Sequence, residues 1–102
     1  ERNALVLIFN ECNGPDWDSK NNWLEETISV CLWEGISCDI DNKVSEIQLH
    51  SNSLVGTFPS SAVFSSIPTL TKLVLDGNNV EFNFDGTEKA TNLNYLDLNK
   101  VK

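Results

Sequence analysis

The chain has 102 residues, which is enough for one domain with a modest core. Its formal net charge is −8, and residues 1–42 hold nine acidic side chains against two basic ones. This acidic balance argues against binding to nucleic acid or to anionic membranes, because both need basic patches. No run of 18 apolar residues occurs, so we expect no direct membrane insertion by this segment.

The first predicted element is a helix over residues 1–12. Its apolar side chains recur at helical spacing along one face: Ala4, Leu5, Ile8, Phe9 and Cys12. The sequence Asn13-Gly14-Pro15 ends this helix, because the glycine supplies a C-terminal cap and the proline cannot continue a helix.

A polar loop that contains Trp17 and Trp23 follows the helix. Two exposed aromatic rings in a loop could form a platform on which a sugar stacks. Tryptophans more often close the end of a hydrophobic core, and we favour that interpretation here.

The next motif is Cys31-Leu32-Trp33-Glu34-Gly35-Ile36-Ser37-Cys38. Its two cysteines do not have the spacing of a zinc site, and the whole chain contains a single histidine. The segment Asp39-Ile40-Asp41-Asn42 follows this motif, and its acidic residues could suggest a calcium site. An EF-hand loop that starts at Asp39 would need a glycine at position 44 and a glutamate at position 50, but Val44 and His50 occupy these positions. We therefore expect a turn at residues 39–42, with no metal ion and no cofactor.

A repeated pattern begins at Val44 and organises the rest of the chain. The form LxxLxLxxNxL occupies residues 44–54, recurs at residues 70–80 and starts again at Leu93, a spacing that is typical of leucine-rich repeats. Alternating side chains let the leucines of successive copies stack into one core and build a parallel sheet. We assign structural roles to Asn52 and Asn78, because an amide at each turn pairs with backbone groups that lack ladder partners.

Together these motifs resemble a known family. ALxxxF, NGPxWxxxxNW, CxWxGIxC and VxxIxLxxNxLxGxFP occur here in the order seen in the N-terminal cap and first repeats of plant-type leucine-rich-repeat proteins. That family includes receptor-like kinase ectodomains, polygalacturonase-inhibiting proteins and relatives in algae and other protists. The resemblance covers about residues 3–98. It implies an α/β fold, a short right-handed horseshoe segment of a leucine-rich-repeat solenoid, with the parallel sheet on the concave side and a helical N-terminal cap.

The second repeat departs from the family pattern. Phe82 and Asp85 replace the glycine and the proline, so we expect an irregular convex side there. We also expect Phe82 and Phe84 to pack in the core or on its flank rather than to bind a ligand.

The resemblance also implies a disulfide between Cys31 and Cys38, with Trp33 packed below the first strand as a structural residue. Cys12 then remains as a buried free thiol, or alternatively as a link to another chain. Because paired cysteines indicate an oxidising compartment, we expect a secreted or cell-surface location.

The repeats divide the chain into four parts of a single folding unit. We expect an N-terminal cap at 1–43, a first repeat at 44–69, a second repeat at 70–92 and the start of a third at 93–102. Val101 stands where the third asparagine should be. The apolar edge of the third repeat therefore stays open unless the chain continues or a neighbouring chain covers it.

The candidate partner-binding site is the exposed face of the predicted sheet. By alternation, this face carries the side chains of Glu46, Gln48, His50, Lys72, Val74, Asp76, Tyr95, Asp97 and Asn99. Such a mixed polar patch suits a protein or peptide, with Tyr95 as an anchor because a rigid aromatic ring loses little entropy on binding. The alternative is a face that only contacts solvent.

We do not expect the chain to be an enzyme. His50 and Asp76 could be two members of a catalytic triad, but no activated nucleophile accompanies them. We therefore predict a non-enzymatic protein-recognition module. The alternatives are a structural or assembly protein whose open C-terminal edge is the interface, and an enzyme-inhibitor-type binder.

Overall fold

The structure, a computed structural model, describes residues 1–101, so Lys102 at the end of the predicted third repeat lies outside the described residues. The chain has a mixed α/β fold with a parallel sheet, as the sequence predicted. Its helices and strands are α1 (Arg2–Glu11), β1 (Ile36–Cys38), β2 (Val44–Gln48), β3 (Val55–Thr57), α2 (Ser60–Ser66), β4 (Lys72–Val74), β5 (Asn79–Glu81) and β6 (Tyr95–Asp97). Short 3-10 helices lie at Gly14–Asp16, Val30–Leu32 and Thr87–Lys89.

The main sheet contains four strands in the order β1, β2, β4 and β6. β2, β4 and β6 are parallel, and their register places Ile47 beside Leu73 and Leu73 beside Leu96. Ile47 and Leu73 are fully buried, whereas Leu96 in the edge strand is 37% exposed. The repeat spacing therefore aligns equivalent apolar side chains of successive strands, which stack beneath the sheet.

The fourth strand, β1, was not predicted from the sequence. It runs antiparallel to β2, with Ile36 opposite Ile47. Three residues are too short a run for alternation to indicate a strand, so only the pairing with β2 defines it.

β3 and β5 pair in parallel and form a second, two-stranded sheet that is separate from the main sheet. The first repeat continues from β3 into the helix α2, but the second repeat has only the 3-10 helix Thr87–Lys89. The two repeats thus differ in the segments that follow β3 and β5. Phe82 is half-buried against Phe58 and Phe64. Phe84 is 62% exposed and packs edge-on against the Phe82 ring, with ring centroids 5.2 Å apart, so it lies on the flank of the core, as expected.

Helix α1 buries Ala4, Leu5, Ile8 and Phe9. It ends as the sequence predicted, but the residue that takes the left-handed conformation is Asn13, with φ +61°, and not Gly14. Asparagine tolerates this conformation better than most residues. Gly14 is needed for a different reason, because a side chain there would collide with the ring of Phe9.

The three tryptophans form a buried aromatic row. Ring centroids lie 5.0 Å apart both between Trp17 and Trp23 and between Trp23 and Trp33. The indole N–H groups of Trp17 and Trp23 donate to the backbone carbonyls of Cys12 and Glu34, each at 2.8 Å. Because these rings are buried, they close the core and offer no platform to a sugar.

Cys31 and Cys38 form a disulfide that joins the 3-10 helix Val30–Leu32 to β1, with Cα atoms 5.5 Å apart. Cys12 is a buried free thiol. Burial, together with the nearby negative charge of Glu11, raises the pKa of the Cys12 thiol to about 12. In residues 39–42, Asp39 Oδ1 accepts hydrogen bonds from the backbone N–H groups of Asp41 and Lys43, which closes a turn.

Candidate functional site

The nine predicted site residues form three rows across β2, β4 and β6 and the residues that follow these strands. We call this surface the sheet face. The first row holds Glu46, Lys72 and Tyr95, the second holds Gln48, Val74 and Asp97, and the third holds His50, Asp76 and Asn99. The parallel register brings together side chains that lie 23 to 26 residues apart in the sequence.

Val74 is the member of the sheet face for which exposure was wrongly predicted. Its exposed fraction is 9%. Val74 lies in the central strand β4, and Gln48 and Asp97, which have longer side chains, flank it on the neighbouring strands. Neighbouring side chains shield a residue of a central strand from solvent on both sides. Val74 therefore packs between its neighbours and offers little contact area to another molecule.

His50 and Asp76 form an ion pair across the third row when the imidazole is protonated. The distance from His50 Nδ1 to Asp76 Oδ2 is 2.8 Å, and the His50 side chain is 67% exposed. An exposed pair of this kind contributes at most about 1 kcal/mol to stability. A nucleophile that such a pair would activate needs a site that excludes water, and this open pair does not provide one.

Tyr95 and Lys72 contact each other in the first row. The Lys72 ammonium lies 5.0 Å from the centre of the Tyr95 ring, within the range of a cation–π interaction. Tyr95 remains 50% exposed. The lysine therefore contacts one part of the ring, and half of the side chain remains exposed to solvent.

A cleft of about 340 Å³ opens beside the sheet face. Its lining consists of Ser19, Glu34, Gly35, Gln48, Leu49, His50, Ser51 and Asn52. This volume is at the lower end of the range for small-ligand sites. Two residues of the sheet face, Gln48 and His50, also line the cleft, so the two surfaces are continuous.

The position of Glu34 near the sheet face was not predicted from the sequence. Glu34 and Gly35 lie just before β1, and the Gly35 carbonyl accepts a 2.7 Å hydrogen bond from the backbone N–H of Gln48. The Glu34 carboxylate accepts a 3.0 Å hydrogen bond from the backbone N–H of Asn21. Because β1 was not predicted, no feature of the sequence pattern connected these residues with β2.

Buried asparagines support the ends of the strands. Asn52 is 5% exposed and Asn78 is 2% exposed. Asn52 makes two side-chain hydrogen bonds to the backbone N–H and C=O of Ser19, at 2.7 and 2.8 Å. These bonds fix Ser19, which lines the cleft, relative to the end of β2. Trp33, the third residue assigned a structural role, is 1% exposed, and the Arg2 guanidinium lies 5.1 Å from its ring.

Comparison with known proteins connects this geometry with plant receptors. No protein-family model matches the chain. The serine/threonine-protein kinase BRI1-like 1 of Arabidopsis thaliana is 31% identical over 99 residues, which cover 93% of this chain and 8% of the kinase. Receptor-like protein kinase 5 of the same plant is 35% identical over 63 residues, or 61% of this chain and 6% of that kinase. The chain thus spans less than a tenth of the length of these relatives.

Solved structures share the fold over almost the whole chain. The PEPR1–AtPEP1 structure has a TM-score of 0.74 at 20% identity and covers 98% of this chain and 14% of its own. The leucine-rich-repeat ectodomain of the receptor kinase SOBIR1 from Arabidopsis thaliana has a TM-score of 0.71 at 23% identity, covering 98% and 52%. The BIR3–SERK2 complex of that plant has a TM-score of 0.61 at 21% identity, covering 96% and 68%.

The chain is a plant-type leucine-rich-repeat segment. Its sequence relatives are receptor kinases, and they match this leucine-rich-repeat segment in the ectodomain, which is non-catalytic. The segment is extracellular, as the sequence predicted. In residues 1–101, no helix combines the length and the apolar character needed to cross a membrane.

Proposed function

We propose that this leucine-rich-repeat segment is a non-enzymatic recognition module of a secreted or cell-surface protein, and that it binds a protein or peptide on the sheet face. The observation that carries this proposal is the half-exposed ring of Tyr95 among aligned polar side chains. An inhibitor-type binder would use the same face, with an enzyme as its partner.

The rigidity of the sheet supports the proposal. Side chains on paired strands are already held in fixed rows. Binding a partner therefore costs less conformational entropy than it would if the site were a mobile loop that had to be ordered. A tyrosine with two rotatable side-chain torsions adds contact area at low entropic cost. Two structures that share the fold, PEPR1 with AtPEP1 and BIR3 with SERK2, are complexes.

We further propose that residues 1–43 are an N-terminal cap and that the repeats at 44–69, 70–92 and from residue 93 begin a right-handed horseshoe, with the sheet face on its concave side. The position of β1 at the edge of the main sheet supports this division. α1 also buries its apolar side, and the carbonyl of Cys12, the residue that follows α1, accepts a hydrogen bond from the Val55 N–H in β3.

Selection from a displayed peptide library tests the proposed face. Peptides selected on the folded chain should bind Tyr95→Ala at least about tenfold more weakly, because alanine removes an aromatic anchor worth 2 kcal/mol or more at an interface. Phe84→Ala is the matched control, since it removes an exposed ring outside the sheet face. Peptides that lose affinity for Phe84→Ala and keep it for Tyr95→Ala would contradict the proposal.

A second candidate function is self-assembly through the edge strand β6. Leu96 is 37% exposed there, and Leu98 and Val101 are half-buried. An exposed apolar edge favours association with another chain. Analytical ultracentrifugation would then give a mass above the 11.4 kDa of one chain, and Leu96→Asp would reduce it to that value. A monomeric mass for the unaltered chain would exclude this candidate.

A further inference from the structure

The charges of the sheet face are not evenly distributed. The first row holds one carboxylate, Glu46, and one ammonium group, Lys72. The second and third rows and the adjoining cleft hold the carboxylates of Asp76, Asp97 and Glu34, and their members include no lysine or arginine. The half of the sheet face that meets the cleft is therefore anionic.

No lysine or arginine in the described part of the chain pairs with these three carboxylates. Glu34 accepts a hydrogen bond from the backbone N–H of Asn21, and Asp97 accepts one from the backbone N–H of Asn99, both at 3.0 Å. Among residues 1–101, the ion pair of His50 with Asp76 is the only one. Each carboxylate thus keeps acceptor capacity for a cation supplied by a partner.

The cleft has the chemistry to receive the side chain of a basic residue. Glu34 and Gln48 line the cleft and provide polar groups for the charged end of such a side chain. Gln48 donates its amide N–H to Glu46 at 2.6 Å, so its amide oxygen is free to accept. Hydrogen bonds between a cation and a carboxylate are about twice as strong as neutral ones.

We propose that the partner of the sheet face is a basic peptide segment of another protein, which lies along the second and third rows and places a lysine or arginine side chain in the cleft beside Glu34. This inference rests on the proposed function and names the chemistry of its partner. Opposite charge accelerates encounter and rejects acidic partners, and both effects weaken as salt screens the charges.

Net charge alone could attract a basic peptide to any part of this acidic chain, so the test must locate the contact. The probe is a fluorescent peptide of glycine and serine with several arginines, and its partner probe carries glutamate at the same positions. Fluorescence anisotropy measures affinity at low and physiological salt. We expect the arginine peptide to bind, the glutamate peptide not to bind, and added salt to weaken binding.

Charge-neutralising variants locate the site. Glu34→Gln and Asp97→Asn each keep an oxygen that can accept the hydrogen bond from the backbone N–H group. Each variant removes a charged acceptor and should therefore weaken the affinity for the arginine peptide about fivefold or more. Glu81→Gln is the matched control, because it removes the same charge from β5 in the second sheet and should leave affinity unchanged. In a two-dimensional amide NMR spectrum, the peptide should shift the resonances of Gln48 and His50.

Two results would overturn the inference, and they differ in what they mean for the proposed function. Library peptides that depend on Tyr95 but contain no excess of lysine or arginine would overturn the basic partner and leave the recognition face intact. An equal loss of arginine-peptide affinity in Glu81→Gln and Glu34→Gln would show attraction by net charge alone. If Tyr95→Ala also failed to weaken any selected peptide, the sheet face itself would be excluded.

Discussion

The side-chain oxygen of Asn78 accepts a 2.8 Å hydrogen bond from the backbone N–H of Asn52, one repeat earlier in the chain. The same oxygen accepts the N–H of Leu54 at 3.0 Å, and the Asn78 amide group donates to the carbonyls of Leu49 and Leu75 at 2.7 and 2.9 Å. One buried side chain therefore satisfies the turns of two consecutive repeats. Asn52 makes the corresponding contact with Ser19.

Replacing Asn78 by alanine should lower the free energy of unfolding by about 3 kcal/mol or more, because several buried backbone groups would lose their partner at about 1–3 kcal/mol each. Urea unfolding followed by circular dichroism measures this change. Asn52→Ala should cost less, since its two bonds to Ser19 are partly exposed. Asn94→Ala, at an exposed position, is the control and should change stability by less than about 0.5 kcal/mol. Equal losses in all three variants would refute the assigned role of Asn78.

Gly56→Ala should destabilise the contact between α1 and the second sheet. Gly56 has φ +117°, a conformation that side chains rarely adopt, and an added Cβ would collide with the carbonyl oxygen of Glu11. Strain and collision together should cost about 2 kcal/mol or more. Thermal unfolding checks this value, with Val55→Ala at the exposed neighbouring position as the control. A melting temperature unchanged from that of the unaltered chain would show that the two elements can separate without cost.

Removing the disulfide by the double substitution Cys31→Ser and Cys38→Ser should lower stability by about 2–3 kcal/mol, as expected for a short closed loop. The two cysteines are separated by 7 positions in the sequence. Alkylation in denaturant without a reductant provides an independent check on the pairing. It should label one thiol, that of Cys12. Labelling of Cys31 or Cys38 would mean that the disulfide does not form.

The buried thiol of Cys12 should make the protein less stable at alkaline pH. In the unfolded chain this thiol ionises near its usual pKa of 9.0, whereas burial raises its folded pKa to about 12. The unfolded state therefore releases a proton that the folded state retains, and the free energy of unfolding falls as pH rises from 9 towards 12. Urea titrations of the unaltered chain and of Cys12→Ala over this range should show a steeper fall for the former. Parallel curves would mean that Cys12 ionises equally in both states.

The sequence predicted the elements that depend on local spacing. The positions of Ile47, Leu73 and Leu96 sufficed to place three parallel strands in register, because one repeat length brings equivalent residues side by side. The general tendency of tryptophan to close the end of a core likewise favoured buried positions for Trp17 and Trp23, and both are buried. Local pattern could not reveal β1, since three residues carry too little periodicity, and without β1 the position of Glu34 beside the sheet face was also missed.

The sequence by itself determined the repeat, the parallel sheet and the set of residues on the sheet face, because a two-residue alternation and a repeat length fully specify which side chains point the same way. Only the tertiary structure decided how exposed these residues are and which distant residues lie beside them. Packing between strands buried Val74, and pairing with β1 brought Glu34 next to Gln48 and His50. Exposure and charge environment depend on neighbours that are distant in the sequence, so the anionic cleft is a property of the fold.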